Sequence, residues 1–250
     1  MGKSGIINGG SGTIQTLNNS GEITGDSYGI YNDDTIGTFI NSGTIDGDIY
    51  NTSPNTLKAL KNSGNINGII HNPATGVIGS DTQEFAIENT GTIKGINNAG
   101  TIIAKKYAIN NKSGDITSVS NSGTVIFKDK DGAQIYNNAG AKTTITSWNI
   151  NLNKSASEFN DLSKIDTTNG NSAYADERIF VSGDLDGIIF KPHSIIITTN
   201  QAGSYDLSNL ILKSNSINGW VSAKNEVKSY SDSGVEHMGL DCDSFTVSGI

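Results

Sequence analysis

Apolar side chains recur along the first 150 residues inside one short phrase. It reads apolar-x-Asn-small-Gly-x-Ile (or Val) at 17–23, 39–45, 60–66, 87–93, 96–102 and 119–125, with looser copies at 109–116 and 135–145. A glycine every few residues opposes helix, and the apolar-x-Asn core of the phrase alternates with the period of a strand. In Ile49-Tyr50-Asn51, the Ile and the Asn therefore point to one side and the Tyr to the other.

The spacing of the phrases predicts how these strands are arranged. The apolar anchors are Leu17, Ile30, Phe39, Ile49, Leu60, Ile70, a weak member near Ile78, Ile87, Ile96, Ile109, Val119 and Ile135. Alternate anchors lie roughly 17 to 26 residues apart, centred near 20, which is the length of one solenoid coil. The expected fold is all-β: a right-handed parallel β-helix, three-faced, with about 20 residues per coil. Residues 1–150 would form six or seven regular coils, about 30 Å tall at the spacing of paired strands.

Stacking coils in this way sets Ile over Ile to make a dry interior and Asn over Asn to make a hydrogen-bonded ladder. The ladder is expected to run through Asn19, Asn41, Asn62, Asn98 and Asn121. The glycine after each Asn is expected to supply a positive φ at a sharp corner. Pro54, Pro73 and Pro192 fall where loops are expected, since a strand between two coils needs its N–H groups.

Composition makes this core necessarily thin. Hydrophobic residues are 34 % and charged residues 17 %, with 30 glycines in 250 residues. A disordered chain would lack the β-branched residues that recur here on schedule. The formal net charge is −8 and Arg178 is the sole arginine, so a nucleic-acid partner is not expected. Cys242 is the sole cysteine and cannot form an internal disulfide. No apolar run is long enough to span a bilayer, so this segment is not expected to insert into a membrane. The start lacks the apolar stretch of a signal peptide, and Ile250 follows a Ser-Gly pair in mid-pattern, so the chain reads as an excised portion of a longer protein.

Runs such as Asn41-Ser42-Gly43-Thr44-Ile45, Asn62-Ser63-Gly64-Asn65-Ile66 and Asn121-Ser122-Gly123-Thr124-Val125 resemble the passenger domains of Gram-negative autotransporters. The resemblance covers roughly residues 4–150. It implies export to the cell surface through an outer-membrane β-barrel, and service as an adhesin toward a host-cell surface protein or glycan. A monomer with no cofactor, no metal and no catalytic residues is expected.

After Trp148 the phrase fades. Ser155 with Glu158 forms a capping-box pattern, followed by Leu162 and Ile165 at helical spacing, which predicts one short inserted helix. Strands are expected at 178–181, 186–190, 194–198, 207–212 and 219–221. Residues 151–250 read as a less regular continuation of the β-helix with longer loops, the alternative being a small separate β domain.

Gly25-Asp26-Ser27-Tyr28-Gly29 matches the nucleophile-elbow pattern but lacks its strand-to-helix context. His71, His193 and His237 share no metal-ligand spacing, and the cluster Glu236, His237, Asp241, Cys242, Asp243 matches no known metal loop. Asp33-Asp34 and Asp46 with Asp48 lie about one coil apart, so a polysaccharide lyase or hydrolase is the rival to the adhesin; a phage tailspike-like fibre is a third alternative. Tyr31, Tyr50 and His71 occupy the outward slot after successive anchors, with Tyr136 in the same slot several coils on. Together they form the expected surface contact column, or a ladder that only stabilises stacking.

Overall fold

A computed structural model of the protein describes residues 3–52, 56–165, 177–215, 219–230, 233–240 and 244–247. It is a parallel β-solenoid of about 6 turns, with about 24 residues per turn. One sheet stacks Ser4–Asn8, Glu22–Asn32, Thr44–Asn51, Asn65–Asn72, Thr92–Asn98, Asp115–Asn121 and Lys142–Leu152 in sequence order. A second sheet wraps the other two sides. Its early strands Thr13–Asn19 and Thr35–Asn41 cover both, and later coils split into Thr56–Leu57 and Leu60–Asn62, then Val77–Gly79 and Phe85–Asn89, and so on.

The coil is longer than the expected length of about 20 residues because an anchor series that includes Ile78 understates the repeat: Leu60 pairs with Ile87, not with Ile78. Ile78 is no member of the anchor series; it stacks in a column of its own, Ile14, Ile36, Leu57, Ile78, Ile102, Val125. Three further columns fill the interior. One runs Leu17, Phe39, Leu60, Ile87, Ile109, Ile135, Val181. Another runs Ile6, Ile30, Ile49, Ile70, Ile96, Val119, Ile145, Phe190. The last runs from Ile23 through Ile45, Ile66, Ile93 and Ile116 to Thr143. Each buried Ile contributes roughly 1.5–3 kcal/mol, so a few per coil are enough.

Two asparagine ladders run up the stack, not one. In the first, each Nδ2 donates to the next Oδ1 from Asn19 to Asn41, Asn62, Asn89 and Asn111, at 2.8–3.0 Å. In the second, Asn8, Asn32, Asn51, Asn72, Asn98 and Asn121 do the same at 2.7–3.1 Å. Asn98 and Asn121 thus belong to a different ladder from Asn19, Asn41 and Asn62. Counting Ile78 as an anchor had shifted the alternation by one strand beyond Asn62.

The glycines of the phrase answer a different need from the one expected. Gly43, Gly64, Gly91 and Gly114 are not among the residues with positive φ. A Cβ on any of them would overlap the carbonyl oxygen of the equivalent glycine one coil before. That carbonyl accepts the N–H of the next coil's following residue, for example Asn65 N to Gly43 O at 2.9 Å and Thr92 N to Gly64 O at 2.9 Å. Coil spacing, not turn handedness, selects glycine here.

Most strands beyond residue 177 join the same two sheets, where Ile135 pairs Val181, Ile145 pairs Phe190 and Ile179 pairs Ile211, while Gly203–Asp206 and Ser244–Val247 form a separate antiparallel pair. The parallel stack stops where antiparallel strands arrive, Gly219–Ser222 on Ile211–Asn215 and Glu236–Met238 on Lys228–Tyr230. The inserted helix is Ala156–Asn160, capped by Ser155 and Glu158 as predicted. Buried Arg178 holds it down, its guanidinium donating to the carbonyls of Phe159 and Asn209 and lying 3.9 Å from the Phe159 ring centroid.

Candidate functional site

The strand register places Tyr31, Tyr50 and His71 one above another on the outer side of the first sheet. The Tyr31 and Tyr50 rings stack at 5.9 Å and 8°, and Tyr50 meets the His71 ring at 5.7 Å. The column continues past exposed Ile7 at one end and exposed Asn97 at the other.

A fourth ring joins them that the slot pattern did not indicate. The register of Glu22–Asn32 slips between Thr24 and Tyr28 and again before Ile30. This bulge swings Tyr28 to 5.4 Å from Tyr31 and 5.2 Å from Tyr50. Bulges re-aim side chains in this way, and the signal in the sequence was the extra residues between Ile23 and Ile30 beside Gly25 and Gly29. Asp48 anchors the far end. Its Oδ1 accepts the Ile69 N–H at 2.8 Å, and its Oδ2 lies 3.0 Å from His71 Nε2. The result is a partly exposed ledge of three phenols and an imidazole with one fixed carboxylate.

Tyr136 is not part of this ledge. It pairs with Asn110 and Ser182 on the second sheet, because its anchor Ile135 lies on the Leu17 side of the alternation. There it stacks on Tyr107 at 4.5 Å, and Tyr107 stacks on Phe85 at 6.0 Å. Burial pushes the Tyr107 phenol above its usual pKa, with Lys106 pulling the other way.

Comparison with known proteins finds no matching family model, curated protein or solved structure.

The carboxylates of Asp33, Asp34, Asp46 and Asp48 are each engaged by a different neighbour. Asp33 Oδ1 accepts from Thr52 Oγ1 at 2.7 Å and Asp34 Oδ1 from its neighbour Thr35 N at 2.7 Å. Asp46 takes Asn67 Nδ2 at 2.9 Å, while Asp48 serves His71. Ser27 lies inside the strand Glu22–Asn32, with no helix after it, so the elbow context is missing. Asp241, Cys242 and Asp243 lie outside the described residues, as does Pro54. Among the described residues no group of three or more His, Cys, Asp or Glu is placed to hold a metal ion. None of the described helices is long and apolar enough to cross a membrane.

A cavity of about 180 Å³ near the upper end is walled in part by Lys142, Asp184, Asp186, Lys228 and Glu236. Its charges are partly engaged locally: Lys228 Nζ lies 3.5 Å from Glu236 and the Gly140 N–H donates to Asp184 at 3.4 Å.

Proposed function

We propose that the chain is a surface-displayed, autotransporter-like stalk whose ledge of Tyr28, Tyr31, Tyr50 and His71 contacts a protein or glycan on a host cell. The single observation that carries this reading is the clustering of four aromatic rings on one outer face, partly exposed, where the core does not need them. Exposed Tyr side chains offer large contact area at low cost in conformational entropy. The Asp48 carboxylate adds a directional hydrogen-bond acceptor beside the rings. The laddered coils support the role of a stalk, since up to Asn111 and Asn121 successive coils are tied by two columns of amide bonds as well as by strand pairing.

Tyr31→Ala with Tyr50→Ala tests the reading. Binding of the purified protein to epithelial cells is expected to drop at least about tenfold, with the melting temperature lowered only slightly. Unchanged binding with a lowered melting temperature would leave the rings as a stacking ladder and remove the adhesive role from this face.

A further inference from the structure

The second aromatic row lies on a different sheet and carries the opposite charge character. Phe85, Tyr107 and Tyr136 stack over successive coils, all partly exposed. Lys112 Nζ sits 5.4 Å from the Phe85 ring centroid and Lys106 Nζ 5.2 Å from that of Tyr107. Lys61 is exposed in the register slot next to Glu88. Glu88 is the carboxylate within the patch, paired with Lys112 at 2.9 Å, and at its margin Glu84, Asp129 and Asp131 are matched in number by Lys105, Lys128 and Lys130. Three ammonium groups against one carboxylate make this patch positive on a chain whose net charge is −8.

We propose that Phe85, Tyr107 and Tyr136 with Lys61, Lys106 and Lys112 form a second binding ledge, for an acidic polysaccharide. The chemistry divides between the two residue types. The ring edges and the apolar stems of the lysines meet the apolar patches of sugar rings. The ammonium groups take carboxylate or sulfate through charge-assisted hydrogen bonds. A positive patch on a chain of net charge −8 also favours an anionic partner at that patch over the rest of the surface. The patch climbs from coil to coil, so its long axis follows the rod and suits a polymer better than a single sugar. The proposal stands apart from the Tyr28–Tyr31–Tyr50–His71 reading, since it uses none of those residues.

The intact chain is tested by biolayer interferometry against immobilised polyuronate, heparin and neutral dextran. Binding to polyuronate, to heparin or to both, but not to dextran, is expected, and it weakens as salt is raised. Binding to polyuronate alone assigns the lysines to carboxylate, and binding to heparin alone assigns them to sulfate. Lys61→Gln with Lys106→Gln leaves the rings and the Glu88–Lys112 pair in place and should weaken binding at least about tenfold. The Tyr31→Ala, Tyr50→Ala protein should bind as the parent does. No binding to either acidic polymer, equal binding to dextran, or undiminished binding by the double lysine variant at an unchanged melting temperature would overturn the proposal. Should the double variant fail to fold, Lys61→Gln alone gives the same test.

Discussion

The lower coils and the upper end of this molecule close their interiors by different means. From Asn8 to Asn121 every strand end on the first sheet carries a buried Asn, each side-chain amide bonded to the next in the ladder. In the next coil that position is Trp148, fully buried. On the second sheet the change comes in steps: Asn111 donates to Thr143 Oγ1 at 3.0 Å, and Thr143 donates to Asn137 at 2.7 Å. Above Asn137 stands Gly183. Here Phe127, Phe180 and Trp220 pack edge to face at 4.7–5.8 Å in a cluster of their own. A ladder suits a coil that will be followed by another like it, because each amide needs a neighbour above and below. The aromatic end fills space without an amide ladder, and it leaves the indole N–H groups of Trp148 and Trp220 buried without a partner.

This contrast can be broken at either end. The largest effect is expected from Phe180→Ala, about 4 kcal/mol of lost stability from the cavity it opens. Hydrogen exchange should then quicken in residues 177–230 while strands below Asn98 keep their protection; uniform quickening would mean that the two regions act as one. Asn62→Ala comes next, at about 3 kcal/mol, since it strands the Asn41 donor and the Asn89 acceptor inside the stack. Chemical denaturation reads this directly. Gly64→Ala should cost about 2–3 kcal/mol because the coils must part to admit a Cβ. Gly234→Ala, at φ 78° with open space around it, should cost only about 1 kcal/mol.

The smallest effect is a pH dependence confined to the upper region. Burial raises the pKa of Glu177 above its usual value, outweighing the attraction of Lys154 and the N–H groups of Asn153 and Lys154. The folded state therefore holds this proton more tightly than the unfolded chain. Its contribution to stability is complete below about pH 4.5 and is lost as pH rises through the raised value. Glu177→Gln keeps an oxygen to accept the two N–H groups and should flatten this part of the stability profile, as followed by thermal melts between pH 4 and 7. An unchanged slope would place the titrating group elsewhere.

The architecture was legible because Ile and Asn alternate strictly within each phrase and the phrase length barely varies. Tyr31, Tyr50 and His71 could be aligned for the same reason. What eluded the pattern has local causes. Ile78 has no Asn after it, yet its apolar character placed it in the wrong series, and that single misplacement moved Asn98, Asn121 and Tyr136 to the wrong side. Tyr28 is delivered by a bulge, which breaks the period that strand reading relies on. Asp48 partners His71 across one coil, a contact fixed by register and not by any motif. The glycine rule was right in position and wrong in cause, because close approach between coils cannot be read from one coil alone.

Ladder membership is most directly tested by double-mutant cycles on asparagine pairs. Asn62→Ala and Asn89→Ala should be coupled by about 1 kcal/mol or more, and Asn62→Ala and Asn98→Ala should add within about 0.5 kcal/mol. Strong coupling between Asn62 and Asn98, with none between Asn62 and Asn89, would contradict the two-ladder stack.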